Sequence, residues 1–151
     1  KLDFPDNRLD TVPLIDIVQA LEHVKGLVNP SLVYTHHFGD LNIDHQIAFQ
    51  ATMTAFRPQP KELCREIRTF EVPSATDYGV FGAQNAFVPN MFVDVGRFWD
   101  TKIAALKHYG GEIHDNPHSR SLMGIDSLSK YRGVSVGLCR AEAFRVIRKI
   151  Y

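Results

Sequence analysis

The segment THHFGDLNIDHQ, residues 35–46, places three histidines and two aspartates within twelve positions. A neutral imidazole is a common metal ligand and a good general base, and a nearby carboxylate can fix which ring nitrogen carries the proton. His45 directly follows Asp44 where the loop turns into a helical pattern, and Asp40 and Asn42 share the mouth of the same loop. Two readings of the residues stand side by side. One is a metal or acid–base site. The other is Asp44 as the N-cap of a helix starting near His45, with solvated histidines, since helix starts favour aspartate. A metal that does chemistry needs three protein ligands and an open position. Elsewhere the chain offers no HExxH, CxxC pair, Gly-rich phosphate loop or GxSxG elbow.

These residues must be positioned by the elements around them. Leu2 to Phe4 reads as the end of a strand, followed by the polar turn PDNRLD. Thr11 suits an N-cap with Pro13 in the first turn, and Leu14, Ile17, Val18, Leu21 and Val24 recur at helical spacing until Pro30. SLVYTH is a short β-branched run of the kind buried in a parallel sheet, and HQIAFQATMTAFR is helical in period up to Pro58. This alternation predicts an α/β fold with a parallel sheet. In such sheets ligands bind beyond the carboxyl ends of the strands, where both FPDNRLD and HHFGDLNIDH fall. EIRTFEVPS and NMFVDVG read as further strands. RFWDTKIAALKHYG reads as a helix closed by Gly110 and Gly111, and LMGIDSLSKYRG as one ended by Gly133. The tail AEAFRVIRKIY suits helix and strand equally.

Lysine plus arginine and aspartate plus glutamate balance at 17 each over 151 residues, so no net field draws the chain to nucleic acid or an anionic membrane. Cys64 and Cys139, far apart, suit buried thiols in a reducing compartment. With no signal peptide and no apolar run of membrane-spanning length, the expected setting is cytoplasmic.

Taken together, VYTHHFGDLNIDHQIAFQATMTAFRP resembles the second conserved block of the LmbE-like, or PIG-L, N-acetylglucosaminyl deacetylases. The resemblance continues through FEVPSATDYG, NMFVDVGRFWDTKIAALKHYG, HSRS, YRG, VG and AEAF, covering nearly the whole chain. It implies a Rossmann-like α/β fold with a mostly parallel sheet and helices on both faces. It also implies zinc-dependent removal of the acetyl group from an N-acetylglucosamine-type conjugate. By the same resemblance His45 is a zinc ligand, and Asp44 supports a catalytic histidine through a charge relay. Asn42 stands where the family has its general acid, which leaves His36 and His37 as the candidates for that role. The family's HPDDE-type motif, carrying two zinc ligands and the general base, is absent from these 151 residues. The expectation is therefore a single LmbE-like domain over residues 1–151, truncated at its N-terminus. The remaining zinc ligands would lie outside this segment or on another chain of an oligomer. The competing reading is a non-catalytic sugar-binding or assembly subunit.

Other candidates are weighed beside plainer roles. Arg57 can bind a substrate phosphate or simply sit as a cation at a helix C-terminus. Asp40, Asn42 and Arg8, with Asp6 and Asn7, can hold sugar hydroxyls, although polar turns use the same residue types. His118, in NPHSRS, can approach the site or lie on the surface. Glu71 and Ser74 can line the pocket, and Glu142 suits pairing with Arg132 or Arg140. Phe92, Phe98, Trp99, Phe144 and Tyr151 are expected to pack.

Overall fold

The computed structural model describes residues 2–79, 82 and 84–151. Helix α1 (Leu14–Val28) leads to strand β1 (Leu32–His36), helix α2 (Ile43–Ala55) and strand β2 (Glu66–Phe70). Strand β3 (Met91–Asp94), helices α3 (Trp99–Lys107) and α4 (Leu122–Val134), and strand β4 (Ala141–Lys149) follow. The sheet is mixed, in the order β1-β2-β4-β3. β1 and β2 run parallel, from Leu32 opposite Glu66 to His36 opposite Phe70. β3 and β4 run antiparallel, from Met91 opposite Phe144 to Asp94 opposite Ala141. The C-terminal tail, ambiguous in sequence, is strand. The α/β class expected from the alternation is the one observed.

The chain forms two compact units, Lys1–Val88 with Arg145–Tyr151, and Pro89–Phe144. In the first, Ile17 and Val18 of α1, Ala51 and Ala55 of α2, Phe56, Cys64 and Ile67 of β2 make the buried cluster. Ala51 and Ala55 lie one helical turn apart and are fully buried, so α2 presents a smooth face to its neighbours. Lys25, in the last turn of α1, donates to Ala55 O at 2.7 Å and pairs with Glu62 at 2.9 Å, satisfying an orphan carbonyl at the C-terminus of α2.

One strand and two helix starts differ from the sequence reading. Residues 2–5 form no strand. Thr11 does not cap α1, because Val12, preceding a proline, is driven to extended backbone at φ −103°, ψ 128°. The Thr11 hydroxyl instead donates to Arg8 O at 2.8 Å, within a short 3-10 turn over Leu9–Thr11, and Pro13 occupies the cap position. α2 begins at Ile43, two residues early, because Asn42 caps it by accepting from the Asp44 amide at 2.8 Å.

In the second unit Glu142 pairs with Lys102 at 2.5 Å, rather than with Arg132 or Arg140. Arg140 pairs with Asp126 and lies over the Trp99 ring at 4.2 Å. A Cβ on Gly133 would come within 2.7 Å of the Arg140 backbone, so glycine is what lets α4 approach the start of β4. Of the residues expected to pack, Phe98 is 52% exposed beneath the Arg97 guanidinium and Tyr151 is fully exposed. Cys64 is buried, but Cys139 is at the surface. Among the described residues no helix is long and apolar enough to cross a membrane.

Candidate active site

The site lies where β1 ends and α2 begins. β1 delivers His36 at its last position, the turn 37–42 reverses the chain, and the first turn of α2 brings His45 back alongside. The rings of His36 and His45 stack at 3.9 Å between centroids and 18° between planes, and His36 also leans on Phe70 at the end of β2 at 4.9 Å.

Behind His45 stands Asp40. Its Oδ2 lies 2.9 Å from His45 Nδ1, and the residue is only 1% exposed. The turn fixes this carboxylate through its backbone. The Asp40 amide donates to His37 O at 3.3 Å, and the Asp40 carbonyl accepts from Gln46 Nε2 at 2.6 Å. A carboxylate at Nδ1 holds the proton on that nitrogen and leaves the Nε2 lone pair for a ligand or a proton. His45 Nε2 has no hydrogen-bond partner among the described residues. Burial, then the neighbouring His45, lowers His36 to a pKa of about 4 against the opposing pull of Asp40. His36 is therefore neutral at pH 7.

Asp44 faces the other way. Its Oδ1 accepts the Leu9 amide at 2.9 Å, and Asn42 Nδ2 donates to Asn7 Oδ1 at 3.4 Å, so the start of α2 anchors the 7–9 segment. Asn7 adopts a left-handed φ of 53° to make this turn. The carboxylate that supports a histidine is thus Asp40, not Asp44, which is occupied by backbone. His37 turns inward. It is completely buried, its Nε2 donates to Asn85 O at 2.8 Å, and its Nδ1 has no partner among the described residues. Phe38 and Phe87 flank its ring at 4.4 and 5.3 Å.

Arg57 is not gathered here. Arg57 lies past the far end of α2, roughly 20 Å along a 13-residue helix from Asn42. It is held by Glu22 and Thr54 O, both at 2.8 Å. The Arg8 side chain is exposed near the Asn7 turn. His118 belongs to the second unit, where its Nδ1 accepts the Arg120 amide at 3.0 Å and its ring lies 4.2 Å from that of His114.

A zinc ion fits these residues in part. His45 offers an open Nε2 with a carboxylate behind Nδ1, which is the donor arrangement of a metal-bound histidine. Among the described residues no three His, Cys, Asp or Glu side chains converge to complete a site. The role of Asp40 escaped the sequence because a five-residue separation across a turn matches no helical or strand period. The only sequence sign of it was the Asn42 cap, which fixes where α2 starts.

No family model and no curated protein sequence matches the chain. Its fold, however, is that of several solved enzymes. It superposes on N,N'-diacetylchitobiose deacetylase from Pyrococcus horikoshii with a TM-score of 0.71 at 15% identity, covering 97% of this chain and 56% of that one. It matches GalB, the 4-carboxy-2-hydroxymuconate hydratase of Pseudomonas putida KT2440, with a TM-score of 0.67 at 20% identity, covering 91% and 60%. The teicoplanin deacetylase Orf2, in a zinc-inhibited form, gives 0.63 at 18% identity, covering 99% and 56%. The chain thus spans somewhat under two thirds of the length of these structures. At such identities the likeness establishes the fold.

Proposed function

We propose that this chain is part of a zinc-dependent N-deacetylase acting on an N-acetylglucosamine-type conjugate. The observation that carries the reading is the Asp40–His45 pair, with Nε2 open, at the carboxyl end of β1. It stands on a fold shared with chitobiose and teicoplanin deacetylases. His45 Nε2 would be one metal ligand, and the others would come from residues outside this segment. Bound zinc supplies a Lewis acid for the amide carbonyl and brings the pKa of its water to about 7.

This chain's own residues act around that centre. Asp40 keeps the His45 proton on Nδ1 and orients the ring through a bond shielded from water. His36, stacked on His45, covers one face of that ring and, being neutral at pH 7, adds no charge there. Stacked on His45 and leaning on Phe70, His36 walls the site. Asp44 and Asn42 hold the 7–9 turn at the rim, where Arg8 and the Asn7 side chain can meet sugar hydroxyls.

The test is acetate release from N,N'-diacetylchitobiose and related N-acetylglucosaminides, with and without a chelator. The reading predicts turnover that the chelator abolishes. Sugar binding without turnover would favour the non-catalytic subunit. The hydratase likeness supports a second reading, hydration of an unsaturated acid, and that activity without acetate release would replace the first.

A further inference from the structure

Five features converge on the turn between β1 and α2 from the segment that follows β2. His37 Nε2 donates to Asn85 O at 2.8 Å, and the Leu41 amide donates to Ala75 O at 2.8 Å. A Cβ on Gly39 would lie 2.2 Å from Asn85 O, and a Cβ on Gly79 would lie 2.4 Å from Gly39 O. Phe87 meets the His37 ring edge-on at 5.3 Å. The two backbones are therefore pressed together closely enough that only glycine fits at both contact points.

The chemistry of His37 is unusual for a residue of this cost. The imidazole is completely buried and, among the described residues, hydrogen-bonds through Nε2 alone. A buried imidazole is costly to place, so the ring is kept for what its other nitrogen does. That nitrogen reaches a backbone carbonyl 48 residues away. The ring does not point at His45, and its neighbour His36 takes the stacked position instead.

We infer that His37 is a positioning residue, a clasp that fastens the segment around Ala75, Gly79 and Asn85 onto the turn carrying Asp40. Through this clasp it sets the wall against which substrate binds, while the bond-breaking groups act without it. The clasp itself stands on geometry alone, and only its effect on substrate rests on the deacetylase reading. His37→Phe keeps an aromatic ring of similar size and removes the donor. His37→Gln returns an amide N–H at nearly the same reach. Gly39→Ala would put a Cβ 2.2 Å from Asn85 O and 2.9 Å from His37 Nε2, prising the same contact apart while keeping the imidazole.

Two readouts separate the outcomes. The first is amide hydrogen exchange at Leu41, whose acceptor Ala75 O lies across the clasp. His37→Phe and Gly39→Ala should both speed this exchange by roughly tenfold or more, and His37→Gln should restore protection to within about threefold. The second is acetate release. The clasp predicts that His37→Phe raises KM by about tenfold, changes kcat by less than about threefold, and leaves zinc content unchanged. Unaltered Leu41 exchange in His37→Phe would overturn the inference whatever the activity shows. So would a kcat loss of roughly 10²-fold at constant KM that Gln does not rescue, since that is the mark of a proton-transferring group. If no acetate is released by the unsubstituted protein, the exchange result alone decides the clasp, and the deacetylase reading falls separately.

Discussion

At the scale of single residues, the central feature is that the carboxylate serving His45 comes from the turn, five positions upstream, and not from the adjacent Asp44. Asp40 is buried and held by its own backbone bonds, so it can hold an imidazole more rigidly than an exposed side chain could. Asp40→Asn keeps the shape but replaces a charged acceptor with a neutral amide that can present a donor to Nδ1. Zinc affinity, measured by competition with a chromophoric chelator, should fall by about 10- to 100-fold. Asp44→Asn should leave affinity nearly unchanged, since its carboxylate is bonded to the Leu9 amide. The identities of these residues were legible in sequence, and so was the placement of His45 at a loop-to-helix junction. Which aspartate met which histidine was not, because the pairing depends on where α2 starts. Asn42, by capping Asp44, rotates Asp44 outward and leaves Asp40 for His45. Likewise nothing in the string HH tells that the first ring stacks on His45 and the second turns inward.

At the scale of elements, helix α2 does two jobs at its two ends. Its N-terminus carries His45, and its middle packs Ala51 and Ala55 into the core beside Ile17 and Val18. Ala55→Leu adds three carbons where there is no exposed surface, and overpacking of this kind costs about 1–3 kcal/mol. The urea midpoint should fall accordingly, while the slope of the transition stays the same. Helix α4 depends on charge as well. Hydrogen bonds from Lys130 at 2.7 Å and then from Arg140 hold the Asp126 carboxyl below its ordinary range. A group depressed in the folded state contributes stability above its unfolded value, near pH 3.9, and loses it as the pH falls through the lower folded value. Comparing Asp126→Asn with the unsubstituted protein from pH 6 to pH 3 should show the largest gap in Tm at the neutral end. That gap should begin to narrow below about pH 4 and shrink further as the pH falls toward the lower folded value. Helical periods and proline stops made α1 and α2 readable from sequence. β4 was not, since AEAFRVIRKIY alternates on one side yet also carries helix-compatible spacing. Its pairing between β2 and β3 decides it.

At the scale of the whole molecule, an α/β scaffold places a carboxylate-backed histidine at the end of a parallel strand, as ligand sites in such sheets require. The chain covers 56–64% of five solved structures that share its fold, and among its described residues no metal site closes. The account therefore hinges on His45 as a contributor to a shared centre. The most direct measurement is the zinc content of the protein as its source produces it, purified without chelator, with His45 and with His45→Ala. The account predicts about one zinc per chain, lost on substitution, with folding retained by circular dichroism. Equal zinc in both proteins would contradict it, because the metal would then be held without the histidine on which the site is built.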